Sequence, residues 1–134
     1  MNEVIKNQLI SYFQSRDTIK AVFVYGSFAS GGVKKSSDID VAILTEEDDI
    51  ITFMDKSRMS LELEEITNRT IDLVSLNKVS SILQMQVLKK GKLLFCSDKA
   101  LLTQFQVRVV REYIDLKRIR KPIEDQLKNV SVYG

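Results

Sequence analysis

The sequence predicts an α/β (α+β) domain built on one small mixed sheet of about four strands packed with helices. Three observations point there. Strand-like and helix-like stretches alternate along the 134 residues, the hydrophobic content of 44% can fill a core, and a mean hydropathy near zero fits a chain surrounded by water. A chain of this length builds one core, so residues 1–134 are expected to form a single domain.

The first helix is read over residues 3–15, where Val4, Ile5, Leu9, Tyr12 and Phe13 recur at helical spacing. Residues 19–25 are rich in strand formers and stop at Gly26, which predicts a buried strand. The stretch 26–37 holds Gly26, Gly31, Gly32 and four serines and reads as a loop. A second strand is expected over 39–45 and a helix over 48–67, with Met54, Leu61 and Ile66 among its apolar positions. Residues 70–76 give a third strand. Ser80 or Ser81 caps a helix that runs to Lys90 and is ended by Gly91, and 92–96 form a short fourth strand. The last helix begins near Asp98 and carries Leu101, Phe105, Val109, Tyr113 and Leu116 on one stripe, with Pro122 expected to end it or open a further short helix.

Composition removes whole classes of chemistry. There is no histidine, so histidine general bases, Ser-His-Asp triads and histidine metal sites are excluded. The single cysteine, Cys96, allows no internal disulfide framework, suits a reducing cytoplasm and reads as a small buried apolar residue. No apolar run approaches a membrane span, and the N-terminal stretch mixes charges into its apolar positions, unlike a signal peptide. Net charge is +2, which gives little pull toward nucleic acid, and the basic run Lys117–Lys121 lacks aromatic interleaving, so direct nucleic-acid binding is not expected. That run and the acidic groups at 46–49 and 62–65 are read as charge placed to suit helix dipoles. Lys89, Lys90 and Lys92 read as a solvated helix end, and Tyr113 as core packing.

The informative segment runs from Val24 to Asp40. A strand ends on Gly26-Ser27, ten residues intervene, and Asp38-Ile39-Asp40 opens the next strand. Residues two apart on a strand share a face, so Asp38 and Asp40 project together while Ile39 and Val41 face the core. Two adjacent carboxylates repel unless a cation sits between them, and Mg²⁺ prefers a few carboxylate oxygens together with phosphate oxygens and water. Gly26 lets backbone approach a phosphate, and the amides that follow, with the Ser27 hydroxyl, can donate to it. Asp72 is a lone carboxylate in an apolar strand. Such a charge is costly in a central strand unless paired or metal-bound, and unremarked on an edge strand facing water. If the third strand neighbours the second, Asp72 completes a cluster of three. Tyr25 reads either as core or as a wall of a nucleotide pocket.

This ordered set resembles the DNA polymerase β-type nucleotidyltransferase superfamily, and the small size and the final Arg111–Lys117 helix are similar to its minimal branch, the MNT-type antitoxins of HEPN/MNT toxin–antitoxin pairs. The resemblance implies a nucleotidyltransferase fold, Gly26 and Ser27 as nucleotide-binding residues, and Asp38, Asp40 and Asp72 as catalytic ligands of two Mg²⁺ ions. It implies ATP as substrate and AMP transfer to a hydroxyl, a tyrosine's being the candidate, on a HEPN toxin encoded nearby. A homo- or hetero-oligomer is left open. Ser30 stands before Gly31 where many relatives have arginine, so one triphosphate contact is absent or falls to Lys34 or Lys35. The alternatives are an antitoxin that neutralises by binding alone, and a transferase acting on a small hydroxylated molecule.

Overall fold

Helix and strand alternate as α1 (Glu3–Gln14), β1 (Ala21–Tyr25), β2 (Ile39–Leu44), α2 (Phe53–Thr67), β3 (Ile71–Ser75), α3 (Ser81–Lys90), β4 (Lys92–Cys96) and α4 (Lys99–Ser131). The structure is a computed structural model that describes residues 2–26, 38–49 and 51–131, with side chains as far as Leu127. The strands lie in the order β3-β2-β1-β4; β1 is antiparallel to both β2 and β4, and β2 is parallel to β3. This is the mixed four-stranded sheet the sequence predicts. A parallel pair needs a crossover between its strands, and α2 supplies it.

Alternation along the strands sends their apolar side chains to two separate cores. Val22, Val24, Ile39, Val41, Ile43 and Leu73 pack under α1 and α2, against Leu9, Phe13, Met59 and Leu63. Ala21, Phe23, Ala42 and Leu44 face the other way, against Val87 of α3 and Leu102, Phe105 and Val109 of α4. With both faces covered, the middle strands are almost wholly buried, which is why they read as continuous apolar runs. Among the described residues no helix is long and apolar enough to cross a membrane.

Local signals set most boundaries. Asn2 caps α1 by accepting from the amides of Val4 and Ile5, and Ser80 caps α3 by accepting from Leu83. The amide of Gly91 returns to the Val87 carbonyl (2.8 Å) as the chain turns into β4. The helix expected over 48–67 starts only at Phe53. Residues 46–49 form a turn instead, closed by Asp49 N to Glu46 O (3.0 Å) and by the Thr45 hydroxyl to Asp49 O (2.9 Å), and Thr52 is the true cap. Thr45 itself leaves the strand because its amide turns to the Asn77 side chain.

Five further expectations are corrected. Met54 and Leu61 are 71% and 67% exposed and Ile66 is exposed too, so α2 buries Met59, Leu63 and Thr67 instead. Pro122 neither ends α4 nor opens another helix: α4 continues through it to Ser131, although a proline there removes one helical N–H and strains the preceding turn. The charged groups do not follow the helix dipoles. Glu62, Glu64 and Glu65 lie toward the C-terminal end of α2, the unfavourable end for anions, and Lys117–Lys121 lies in the middle of α4. Cys96 is half-buried beside the second core, and Tyr113 is half-buried under the Lys117 ammonium rather than inside the core.

Candidate active site

The site is set by strand register. Asp40 of β2 lies opposite Asp72 of β3 and opposite Tyr25 of β1, so the three residues form one row across three strands. The period of two places Asp38 on the same face, one step outward, while Ile39, Val41, Ile71 and Leu73 go to the core beneath α1 and α2. Asp38, Asp40 and Asp72 therefore emerge together where β2 and β3 begin. Asp40 is half-buried, whereas Asp38 and Asp72 are exposed. Asp72 is not on a central strand: β3 is the edge of the sheet, and its carboxylate gains water on one side and Asp40 on the other.

Gly26 fixes the near wall. It follows β1 with φ +72°, a left-handed backbone that favours glycine, and a Cβ placed there would collide with Oδ2 of Asp40. The Asp40 carboxylate thus lies directly against the backbone at the end of β1, which a side chain at position 26 would prevent. Ser27, the other half of the expected nucleotide-binding pair, lies outside the described residues, as do Ser30, Gly31, Gly32, Lys34 and Lys35.

The electrostatics follow from this crowding. Burial raises the Asp40 carboxyl above its ordinary value, and the Asp72 and Asp38 charges and a side-chain hydrogen bond with Asp72 raise it further. The Tyr25 hydroxyl is pushed up to about 12, first by burial and then by Asp40 and Asp72. Tyr25 is on the face of the aspartates and at the same time packs, half-buried, at the margin of the second core. Among the described residues no lysine or arginine forms a salt bridge with any of the three aspartates.

Such a cluster fits divalent cations. The donors are all carboxylate oxygens, hard ligands of the kind Mg²⁺ takes, and the strain visible in Asp40 is what a cation would relieve. No three His, Cys, Asp or Glu side chains among the described residues enclose a single ion position; the tight pair is Asp40 and Asp72, with Asp38 outside it. A pair with a third ligand at its margin leaves coordination places for phosphate oxygens and water. One positioning residue escaped the sequence reading. Glu64 Oε2 accepts the Ile71 amide (3.0 Å), and Ile39 donates to Thr70 O (2.9 Å), so both strands are pinned immediately beside their aspartates. Its only trace in the sequence is its place in an acidic group.

Comparison with known proteins places the fold in a family. The family described as Polymerase beta, Nucleotidyltransferase matches residues 7–100. Protein adenylyltransferase MntA of Shewanella oneidensis is 26% identical over 130 residues, covering 95% of this chain and 90% of its own. A crystal structure of a toxin–antitoxin with AMP-PNP superposes with a TM-score of 0.78 at 25% identity, covering 92% of this chain and 98% of that one. A structure of tri-AMPylated Shewanella oneidensis HEPN toxin in complex with MNT antitoxin shares the fold, with a TM-score of 0.75, 23% identity and coverage of 96% and 99%.

Proposed function

The chain belongs to the polymerase β nucleotidyltransferase family, and from that premise we propose that it is an antitoxin enzyme that transfers AMP from ATP to a hydroxyl, a tyrosine's, on a cognate HEPN ribonuclease toxin. The observation that carries this reading is the row formed by Asp40 and Asp72 with Asp38 beside it, closed at one end by Gly26. That row supplies acid–base groups and metal ligands without histidine, of which the chain has none. The relatives named as an adenylyltransferase and as a toxin–antitoxin with AMP-PNP support the nucleotide and the type of partner. A single cysteine suits the reducing cytoplasm in which such a pair would act.

In this reading Asp38, Asp40 and Asp72 would hold two Mg²⁺ ions, which would supply charge neutralisation in the transition state. The residues of the chain do the rest. The backbone amides at Gly26 and Ser27 receive the triphosphate, while the space a side chain at position 26 would fill is taken by the Asp40 carboxylate. Asp72, on an exposed edge strand, is reachable by an acceptor hydroxyl and takes its proton. The hydroxyl oxygen bonds to the α-phosphorus, the bond from that phosphorus to the bridging oxygen breaks, and pyrophosphate leaves. Asp40, held against Gly26 and Asp72, fixes the geometry on which in-line attack depends.

The test is catalytic economy. A trace of this chain with MgATP should progressively inactivate the toxin, and the inactivation should persist after the two proteins are separated, because the new phosphodiester bond is covalent. Protection that needs stoichiometric protein, ignores ATP and vanishes on dilution would identify neutralisation by binding alone.

A further inference from the structure

The structure carries an unfilled seam on α4, far from the aspartates. The stripe that buries Phe105 and Val109 in the second core does not stop where the core stops. It continues along the same side of the helix through Tyr113, Leu116, Ile123 and Leu127, with Arg120 in the place between Leu116 and Ile123. From Tyr113 to Leu127 the intervals of three and four average 3.5 residues, the period of a coiled-coil seam, whereas Phe105, Val109 and Tyr113, nearer the sheet, are spaced by four. Ile119, beside this seam, is 64% exposed, Ile123 is 54% and Leu127 is 62%, and every described side chain from Lys117 to Leu127 is exposed. From Lys117 to Ser131 the helix extends about 22 Å at 1.5 Å per residue. It does so through Pro122, a substitution costing about 3 kcal/mol in a helix interior. A helical segment this short is marginal in water without tertiary support, so the continuity of α4 calls for something to pack on it.

We propose that the seam pairs, antiparallel, with the same seam of a second copy of this chain. The sequence of the segment is self-complementary. Antiparallel pairing that sets Leu116 against Leu127 of the second copy also sets Arg120 against Ile123, and it brings the flanking Lys117 beside Glu124 of the second copy, twice over by symmetry. Parallel pairing would instead place Arg120 against Arg120 in one layer, which is repulsive. Within one copy Arg120, in the seam, already bonds Glu124 (3.3 Å), and Lys117 lies 5.2 Å from the Tyr113 ring, so Lys117 and Glu124 stand along the margins of the seam.

The position of α4 leaves the chemistry free. Arg108 bonds Glu47 and Glu112 bonds the Ser81 hydroxyl (3.3 Å), so the helix leaves the domain near the end of the sheet where β2 and β3 finish. Asp38, Asp40 and Asp72 lie where those strands begin, so both sites of the pair stay open to acceptors.

The test is light scattering with size exclusion over a range of concentrations. The wild-type chain should approach twice its 15.3 kDa mass as concentration rises, and Ile123→Asp should hold it at the single mass. Lys117→Glu and Glu124→Lys should each weaken dimerisation alone, because each puts like charges at both flanks. An equimolar mixture of the two should dimerise again, because every flanking pair is then of opposite sign, and that recovery also shows both variants folded. A wild-type chain that stays monomeric throughout, or a mixture no better than its components, would overturn the proposal. So would a monomeric wild type whose complex with a HEPN protein is lost on Ile123→Asp, which would give the seam to that partner.

Discussion

Two groups of carboxylates on opposite sides of the same sheet are handled in opposite ways. In the α1/α2 layer, Glu62 accepts from the Tyr12 hydroxyl (3.0 Å) and from Arg16 Nη2 (3.1 Å), and the Arg16 guanidinium also covers the Tyr12 ring at 3.8 Å. There Glu62 has a counter-charge in Arg16 and a donor in Tyr12. At the start of β2 and β3, by contrast, Asp40 faces Asp72 with Asp38 nearby, and every influence on its carboxyl raises it. A fold that needs a charge only for itself gives it a counter-charge. The ion pairs seen among the described residues do not reach the aspartate row, and the proposed function gives that counter-charge to bound cations.

The sharpest way to break this comparison is to remove one carboxylate from the row. Asp40→Asn or Asp72→Asn should abolish AMP transfer while circular dichroism stays unchanged; loss of about 4 kcal/mol of transition-state stabilisation is roughly a thousandfold in rate. Transfer at the wild-type rate in either variant would remove the assigned role. Next in size is Gly26→Ala. It forces a side chain into a left-handed backbone and onto the Asp40 carboxylate, so thermal melts should show a loss of about 1–3 kcal/mol together with lost activity.

On the paired side, Glu62→Ala should cost about 1 kcal/mol, since the hydrogen bond from Tyr12 is half-buried and the Arg16 pair is screened by water. It should not affect transfer. Burial and the bond to Glu62 push the Tyr12 hydroxyl up to about 12. The folded state then holds that proton more tightly than the unfolded chain, so its contribution is complete below about pH 10 and is lost as pH rises toward 12. In Glu62→Ala an alkaline ultraviolet titration should find Tyr12 ionising earlier than in the wild type.

The smallest effect has the most telling sign. Because the folded Asp40 carboxyl titrates above 3.8, the folded state binds that proton more tightly, and stability falls as pH rises from 3.8 through the raised value. Without metal at neutral pH, Asp40→Asn should therefore be more stable than wild type by about 0.5 kcal/mol, the scale of a like-charge cross-strand pair. Added Mg²⁺ should stabilise the wild type and reverse the order. A metal-free melt in which Asp40→Asn is the less stable protein would contradict the account of the row.

The sequence made the strands and the row of aspartates legible for the same reason. Val24-Tyr25-Gly26 ends an apolar run on a glycine, Asp38-Ile39-Asp40 sets one apolar residue between two carboxylates, and both signals are local. What escaped it depends on distant partners. Glu62 and Glu64 looked like helix-dipole charges because nothing nearby in the chain announces Tyr12, Arg16 or the Ile71 amide. Met54 and Leu61 looked like core because apolar residues lie all round α2, and only packing against β3 selects Met59 and Leu63. Pro122 is ordinarily a stop, yet α4 runs through it to Ser131. Which strand is the edge, and hence why Asp72 is exposed, is a matter of topology that no window of sequence holds.

The measurement closest to the central claim is the intact mass of the HEPN toxin after incubation with substoichiometric chain and MgATP, run beside the Asp72→Asn variant. The account predicts toxin heavier by one or more AMP groups with the wild type, and unmodified toxin with Asp72→Asn even where that variant still binds ATP. Toxin fully neutralised by the wild type with no added mass would contradict it.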